Sequence, residues 1–560
     1  MRPTLAIYGV KDIGDGLSNT HDHNLCVMHN GKVQHYLHLE RYSRKKYDNR
    51  LDLYIEELFE KNIIDVKEDF DLVFVNSFVG NSFQSNKGLV KFESKVIFPN
   101  PPSLIQNCFS RFELTKYKVV NSYMLSHEIA HVFGNTLFYG DIIDNSLLVH
   151  YDGGASVSNF SSFYKENGKL RCVDCHWDFK YLTSFYNNNI LSSIILENDN
   201  FSSVENEALD SYSGSIALPG KLMGYSSYGK YSKHIEEWLE KHNFFESNFK
   251  SLDTFLKILN KEFGTKIKSI NNKFQIFKDI IATMQFIFER EFIKCIKQLQ
   301  KDFNAKNLYY SGGSALNIKL NHKLVQLDVF ENIYIPPICE DSGLSLGAAA
   351  FVENLKGNSI QKHKANLNNV GNDIKEWDYS NDLVREVVEN IINNKVLGFA
   401  FGNSEAGPRA LGNRSIIARP DSLELTKRIS QDIKKREWYR PIAPIMLKEI
   451  AEMVTGNRLN HLAHYMLSDF NILPQFRAKL KGVVHTDDTC RIQIIEEKND
   501  NPFLFDVLTE LYKNYKILGI INTSFNAGGR PIVHSYKEVL NTAKDIKLDG
   551  VIINGELIEI

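Results

Sequence analysis

Hydrophobic positions are dense and alternating at the start of the chain. Leu5 to Val10 reads as a strand, a polar turn follows, and Asn24 to Met28 reads as a second strand. Asn30-Gly31 then supplies the turn of a hairpin into a third strand, Lys32 to Glu40. The same unit returns later. Ser146 to Tyr151 enters an Asp152-Gly153-Gly154 turn, with strands through Phe160 and, past Asn167-Gly168, through Leu170 to Cys175. The repetition predicts a structural duplication. From Lys233 to Phe303 the apolar spacing becomes three-to-four, as at Ile281, Met284, Phe288 and Phe292, and predicts a helical insertion at about 233–303. Leu308 to Ser311 returns to a strand pattern, Gly312-Gly313 makes a tight turn and Ser314 to Leu320 starts a helix. Glycine there lets the backbone approach a ligand.

Between Leu355 and Trp377 the chain turns polar, with Gly357 and Gly371 and little apolar periodicity. This places a domain boundary, giving segments 1–365 and 379–560 joined by a linker at 366–378. The second segment carries its own strands, Val396 to Phe401, Ile517 to Ile521 and Gly550 to Ile553, and its own helices. The fold class is α/β. Two halves with glycine or polar turns at strand junctions are how actin-like and sugar-kinase-like folds cradle nucleotide phosphates between lobes.

Composition narrows the function. The 560 residues exceed what one core organises, and 43% hydrophobic with 24% charged residues excludes wholesale disorder or a fibrous repeat. With 66 basic against 68 acidic side chains the formal charge is −2, so no global positive field exists to hold a nucleic acid. The start of the chain lacks a signal-peptide pattern, and no apolar run approaches the roughly 18 to 20 residues of a membrane span. A cytoplasmic protein is expected. Seven scattered cysteines do not form a disulfide framework, and the close pair Cys172 and Cys175 reads as structural.

His127-Glu128-Ile129-Ala130-His131 puts two imidazoles one helical turn apart, where both reach one ion. Core or surface histidines produce the same short pattern. As a zinc-protease motif it would make Glu128 the base and require a further ligand on another helix. The next carboxylates are instead Asp152, ending an apolar strand, and Asp341, opening a small-residue helix. Two histidines with two aspartates favour iron or manganese over structural zinc.

The stretch Gly407 to Ser415 sets Arg409 and Arg414 among glycines before a strand, and arginine forks bind phosphate oxygens. Lys434-Lys435-Arg436 and Arg440-Pro441-Ile442-Ala443-Pro444 form a second basic group. Arg491 and Gln493 alternate on a strand, and Asn522-Thr523-Ser524-Phe525-Asn526 ends another. Together they describe an anion pocket.

In these motifs the chain resembles the O-carbamoyltransferases of nodulation and antibiotic pathways. The likeness runs through His21-Asp22, Glu40-Arg41 with Arg44 and Lys46, the histidine pair, Asp152-Gly153-Gly154, and Gly220 to Gly224 with Tyr228-Gly229. It continues through Gly312-Gly313 with Asn317, Asp341-Ser342-Gly343 and the 407–415, 440–444 and 522–526 motifs. The resemblance implies a duplicated actin-like N-terminal domain and a YrdC-like C-terminal domain. The latter would form carbamoyl adenylate from carbamoyl phosphate and ATP with Arg409, Arg440, Arg491, Ser524 and Asn526. The former would hold the adenylate with Lys46, Gly313 and iron(II), or manganese, on His127, His131, Asp152 and Asp341. His21 would be the base that deprotonates a hydroxyl of a small-molecule or glycan acceptor. Gly312, Asn317, Arg414 and Arg436 complete the expected contacts to nucleotide and phosphate. Departures stand at His23-Asn24, in place of small residues, at Tyr225-Ser226-Ser227 in a glycine-bounded loop, and at Asp488.

Competing readings are a zinc protease using Glu128, a tRNA threonylcarbamoyl-transfer enzyme, and a non-catalytic nucleotide-binding module. The whole-chain likeness and the neutral overall charge oppose the tRNA enzyme, and two retained candidate sites oppose the module.

Overall fold

A computed structural model describes residues 1–10, 20–78, 80, 82–93, 104–178, 189–196, 210–245 and 252–560. The polar turn expected after the first strand falls at 11–19, outside the described residues.

Two sheets repeat one topology. In the first, Lys32–His38, Asn24–His29, Thr4–Tyr8, Phe70–Val75 and Val119–Leu125 lie side by side, with Ile105–Asn107 at the far edge. Thr4–Tyr8 is antiparallel to Asn24–His29 and parallel to Phe70–Val75, which is parallel to Val119–Leu125. In the second, the order is Lys169–His176, Phe160–Glu166, Ser146–Tyr151, Asn307–Ser311 and Asn332–Tyr334. Ser146–Tyr151 is again antiparallel to its hairpin partner and parallel to the crossover strand. The duplication expected from the hairpin repeat is present. The central strands are buried along their whole length because both faces are covered, hence their near-continuous apolar runs.

Helix His127–Phe133 packs on the second sheet, and helix Leu344–Leu355 packs on the first and against that helix. A Cβ on Gly347 would lie 1.8 Å from the Ala130 carbonyl oxygen, so the two helices touch backbone to backbone. That approach brings the turn Asp341–Gly343, which leads into Leu344–Leu355, to the histidine pair.

A third, seven-stranded sheet has the order Gln493–Ile495, Ala443–Leu447, Ile520–Ser524, Arg414–Ala418, Leu397–Ala400, Gly550–Ile553 and Glu556–Glu559. The described chain forms two compact units. One comprises 1–175, 305–484 and 488–560, and the other 176–304 with 485–487. Within the first unit, Ala406, Leu411, Ala443 and Met466 share a core cluster with Leu125, Ile129 and Leu344.

Several local expectations change. The strand from Lys32 ends at His38, and Glu40 lies on the short helix Leu39–Ser43. The glycine-bounded stretch from Gly220 is helical, inside Asp210–Ser226, which runs through Pro219. The strand expected from Ile517 begins at Ile520. Arg491 falls between two short strands, Thr489–Cys490 and Gln493–Ile495, so it does not alternate with Gln493 on one. No helix among the described residues is long and apolar enough to cross a membrane.

Candidate functional site

The side chain of Ser126 caps helix His127–Phe133 by accepting from the Ile129 N–H, which fixes where the first imidazole points. His127 Nε2 and His131 Nε2 then meet head-on at 3.0 Å. Two bare lone pairs cannot do this, so one ring donates to the other or both face a cation. Asp341 Oδ1 lies 3.5 Å from His127 Nε2 and 3.3 Å from His131 Nε2, and Asp152 Oδ2 lies 3.6 Å from His131 Nε2. Ligand atoms around one ion at about 2.0–2.2 Å are spaced by about 3.0–3.5 Å, so the set fits a single cation. Tyr8 donates to Asp341 Oδ2 at 2.8 Å, and the Gly313 N–H donates to Asp152 Oδ2, fixing both carboxylates from outside. Gly312 must be glycine here. Its φ is +99° and a Cβ would sit 2.2 Å from the Tyr151 carbonyl oxygen.

A third imidazole, His150, went unread in the sequence. It is fully buried two residues before Asp152, and so on the same face of the strand. Its ring centroid is 5.0 Å from that of His131 and 6.1 Å from that of His127. Neither of its ring nitrogens has a hydrogen-bond partner among the described residues. Burial, then the neighbouring imidazoles, hold its pKa well below the usual histidine range, so it is neutral. The period of two counted back from Asp152 was the available signal.

His21 Nδ1 is 2.8 Å from Asp22 Oδ2, whose other oxygen is 2.8 Å from His38 Nε2, and His21 Nε2 is 3.8 Å from Asp341 Oδ2. Burial pulls the His21 pKa down, but the Asp341 and Asp22 carboxylates outweigh it and raise it to about 10. Asn24 donates to the Asp22 and Asp341 carbonyls at 2.6 and 2.9 Å and accepts from the Ser345 N–H at 2.8 Å. This departure from small residues is therefore a clamp between the two strands of chain that carry His21 and Asp341. Lys46 pairs with Glu40 at 3.1 Å and lies 4.5 Å from the Tyr47 ring centroid.

Glu128 is committed to the backbone of a neighbouring loop. It is buried and Oε1 accepts from the Ser156 and Val157 N–H groups, both at 3.0 Å, and from Ser158 Oγ at 3.2 Å. It anchors the loop after Asp152-Gly153-Gly154, a structural role that weighs against the protease reading.

Arg409, Arg436, Arg491, Ser524 and Asn522 line a cleft enclosing about 350 Å³, including its open mouth, with Pro408, Ile442 and Met466. Burial first, and then the neighbouring guanidiniums, push the pKa of Arg491 well down, that of Arg409 down and that of Arg436 down to about 9. Arg440 is among the repelling neighbours of all three, and it pairs with Glu437 at 3.4 Å. Half-buried guanidiniums clustered in this way suit an anionic ligand.

Arg414 corrects the sequence reading. It is fully buried and donates to the carbonyls of Asn413, Gly402 and His534 at 2.8, 2.9 and 3.0 Å and to Asn372 Oδ1 at 2.8 Å. Its strand position turns it under the loop and away from the cleft. Asn317 accepts from the Leu320 N–H at 3.1 Å and caps helix Ile318–Gln326. Asn526 Oδ1 accepts from Ser524 Oγ at 2.7 Å and from Lys434 Nζ, which also donates to the Ser524 carbonyl at 2.6 Å. Lys434 thus shapes the turn that presents Ser524. Glu405 was also missed. Fully buried, its Oε1 accepts from the N–H groups of Leu411, Asn413 and Arg414 at 2.8, 2.7 and 3.1 Å and holds the Arg409 loop closed.

Residues 15–350 match the family described as carbamoyltransferase N-terminus, and residues 388–559 match carbamoyltransferase C-terminus. Among curated proteins, nodulation protein NolNO of Sinorhizobium fredii is 27% identical over 463 residues, covering 78% of this chain and 63% of that protein. Nodulation protein NolO of Bradyrhizobium diazoefficiens is 29% identical over 364 residues, covering 60% of this chain and 65% of that protein. Nodulation protein U of Sinorhizobium fredii is 29% identical over 342 residues, covering 56% and 59%. The chain thus spans less than two thirds of the length of these relatives. With both parts matched in order along one polypeptide, the chain belongs to the carbamoyltransferase family.

Proposed function

We propose that the protein is an ATP-dependent O-carbamoyltransferase working in two half-reactions. In the first, the 379–560 segment, read as YrdC-like, converts carbamoyl phosphate, ATP and one water into carbamoyl adenylate, pyrophosphate and phosphate. In the second, the 1–365 segment, read as actin-like, passes the carbamoyl group to a hydroxyl of a sugar, a glycan or another small molecule, releasing AMP. The observation that carries this reading is the set Arg409, Arg436, Arg440 and Arg491, whose mutual repulsion a polyphosphate or acyl phosphate relieves.

A divalent cation, iron(II) or manganese, on His127, His131, Asp152 and Asp341 would polarise the carbamoyl carbonyl and stabilise the charge that develops on it. Asp22 orients His21 through Nδ1, leaving Nε2 to receive the proton of the acceptor hydroxyl. That transfer requires the Asp341 and Asp152 charges to be neutralised, since their field otherwise keeps the imidazole protonated. Lys46, held by Glu40, supplies a positive charge for the donor phosphate.

The test is incubation with ATP, carbamoyl phosphate and fractionated cell metabolites. Pyrophosphate release dependent on carbamoyl phosphate, with products heavier by one carbamoyl group, is expected. Absence of both from folded, metal-loaded protein would overturn the reading.

A further inference from the structure

Two ligand sets overlap at the histidine helix. The ligand atoms of His131, Asp152 and Asp341 lie within 4.8 Å of one another, and so do those of His127, His131 and His150. The first set mixes nitrogen with carboxylate oxygen, and the second is all imidazole. These are different chemistries. Mixed donors suit a hard ion, whereas three neutral imidazoles with an open fourth position suit a borderline-soft, tetrahedral one.

His150 is what makes the second set unexpected. It sits fully buried on a strand whose preceding residues are Leu147, Leu148 and Val149, yet neither ring nitrogen has a hydrogen-bond partner among the described residues. A ring used only for packing would be replaced without loss by an apolar one. Instead it faces the two imidazoles that already meet at 3.0 Å.

We propose that His127, His131 and His150 form an all-imidazole site for zinc, in competition with the harder ion of the His127, His131, Asp152 and Asp341 set. The inference rests on the reading above that the mixed set binds an ion. Competition follows from His127. Its Nδ1 lies 3.3 Å from the Asn76 carbonyl oxygen, so Nε2 is the atom left for either ion. An imidazole site binds zinc more tightly than manganese or iron(II), so zinc in excess would hold the site in a form without the hard ion.

Wild type, His150→Phe and His150→Gln would be titrated with zinc and with manganese against a chromophoric chelator, and cobalt(II) absorption would report tetrahedral nitrogen ligation. Zinc affinity is expected to fall about tenfold or more in both variants, with manganese affinity within about threefold of wild type. The tetrahedral cobalt bands should weaken, and zinc should displace manganese from wild type one for one. Retained manganese binding shows that a variant is folded, and the glutamine variant covers a phenylalanine that does not fit. Equal zinc affinity in wild type and either folded variant, or zinc and manganese bound together, overturns the proposal. A wild type that binds zinc through His150 but neither manganese nor iron would sink the mixed-set reading, and the competition with it, while leaving the zinc site itself standing.

Discussion

Arg41 Nη2 donates to the Gly407 carbonyl oxygen at 2.9 Å, joining a fully buried arginine of the first segment to the loop that carries Arg409. Gly407 has a φ of +85°, and a Cβ on it would lie 2.3 Å from the Pro337 carbonyl oxygen, so the loop is gripped from two sides. Hydrogen bonds from charged donors contribute about 1.5–3 kcal/mol. Arg41→Met should therefore lower carbamoyl-phosphate-dependent pyrophosphate release by roughly tenfold or more, although Arg41 does not line the cleft. Pyrophosphate assay with a folded control measures this, and an unchanged rate would separate the two residues functionally.

The arginine cluster should make the protein's stability anion-dependent. Guanidiniums stay protonated at working pH, so their partial burial and mutual repulsion burden the folded state until an anion arrives. Pyrophosphate at about a hundred times its Kd should add about 2.7 kcal/mol of stability, seen as a rise in Tm. Arg491→Ala should raise Tm without pyrophosphate and shrink the rise with it. A pyrophosphate-insensitive Tm in wild type would contradict the anion site.

His21→Ala should separate the half-reactions. Adenylate formation should proceed at near the wild-type rate while carbamoyl transfer falls by about a hundredfold or more, with metal content as the control. Transfer at the wild-type rate by a metal-loaded variant would leave His21 only a packing role.

Glu128→Gln keeps the side chain's size but removes the charge that accepts from Ser156, Val157 and Ser158. Losing part of a buried charged hydrogen-bond set costs about 1–3 kcal/mol, so Tm should fall while a saturating ion still binds. A zinc-protease base would behave oppositely, with stability unchanged and chemistry abolished.

His534 sets an acid limit. It lies between Ser404 Oγ and the Val370 carbonyl oxygen, both at 2.8 Å, and burial, followed by Arg414, lowers its pKa to about 3. The unfolded chain therefore takes up this proton first as pH falls. The stability the neutral ring contributes is complete above the unfolded value of about 6.5 and declines from there toward pH 3 by about 1.4 kcal/mol per unit. His534→Gln, melted between pH 7 and 4.5, should lose stability less steeply than wild type. Parallel curves would remove His534 as the cause.

Local pattern determined much of this protein. Hairpin turns such as Asn30-Gly31 and apolar strand runs specify themselves through nearest-neighbour chemistry, and the repeat of that unit announced two sheets of one topology. The histidine pair was legible because helical geometry alone puts residues four apart on one face. Asp152 and Asp341 were legible as carboxylates at strand and helix ends.

Only the tertiary structure decided what long-range contacts control. Gly347, against the Ala130 carbonyl, sets the helix approach that carries Asp341 to the histidines. Arg409 and Arg414 are five residues apart and share one chemistry, yet Arg409 lies in the loop that lines the cleft while Arg414, first on the following strand, donates to carbonyls up to 120 residues away. Glu405, Lys434 and His150 acquire their roles from partners distant in sequence, and no local periodicity encodes a partner. A side chain's chemical class is written in the sequence, but whether it meets ligand, backbone or another side chain depends on which segments the fold packs against it.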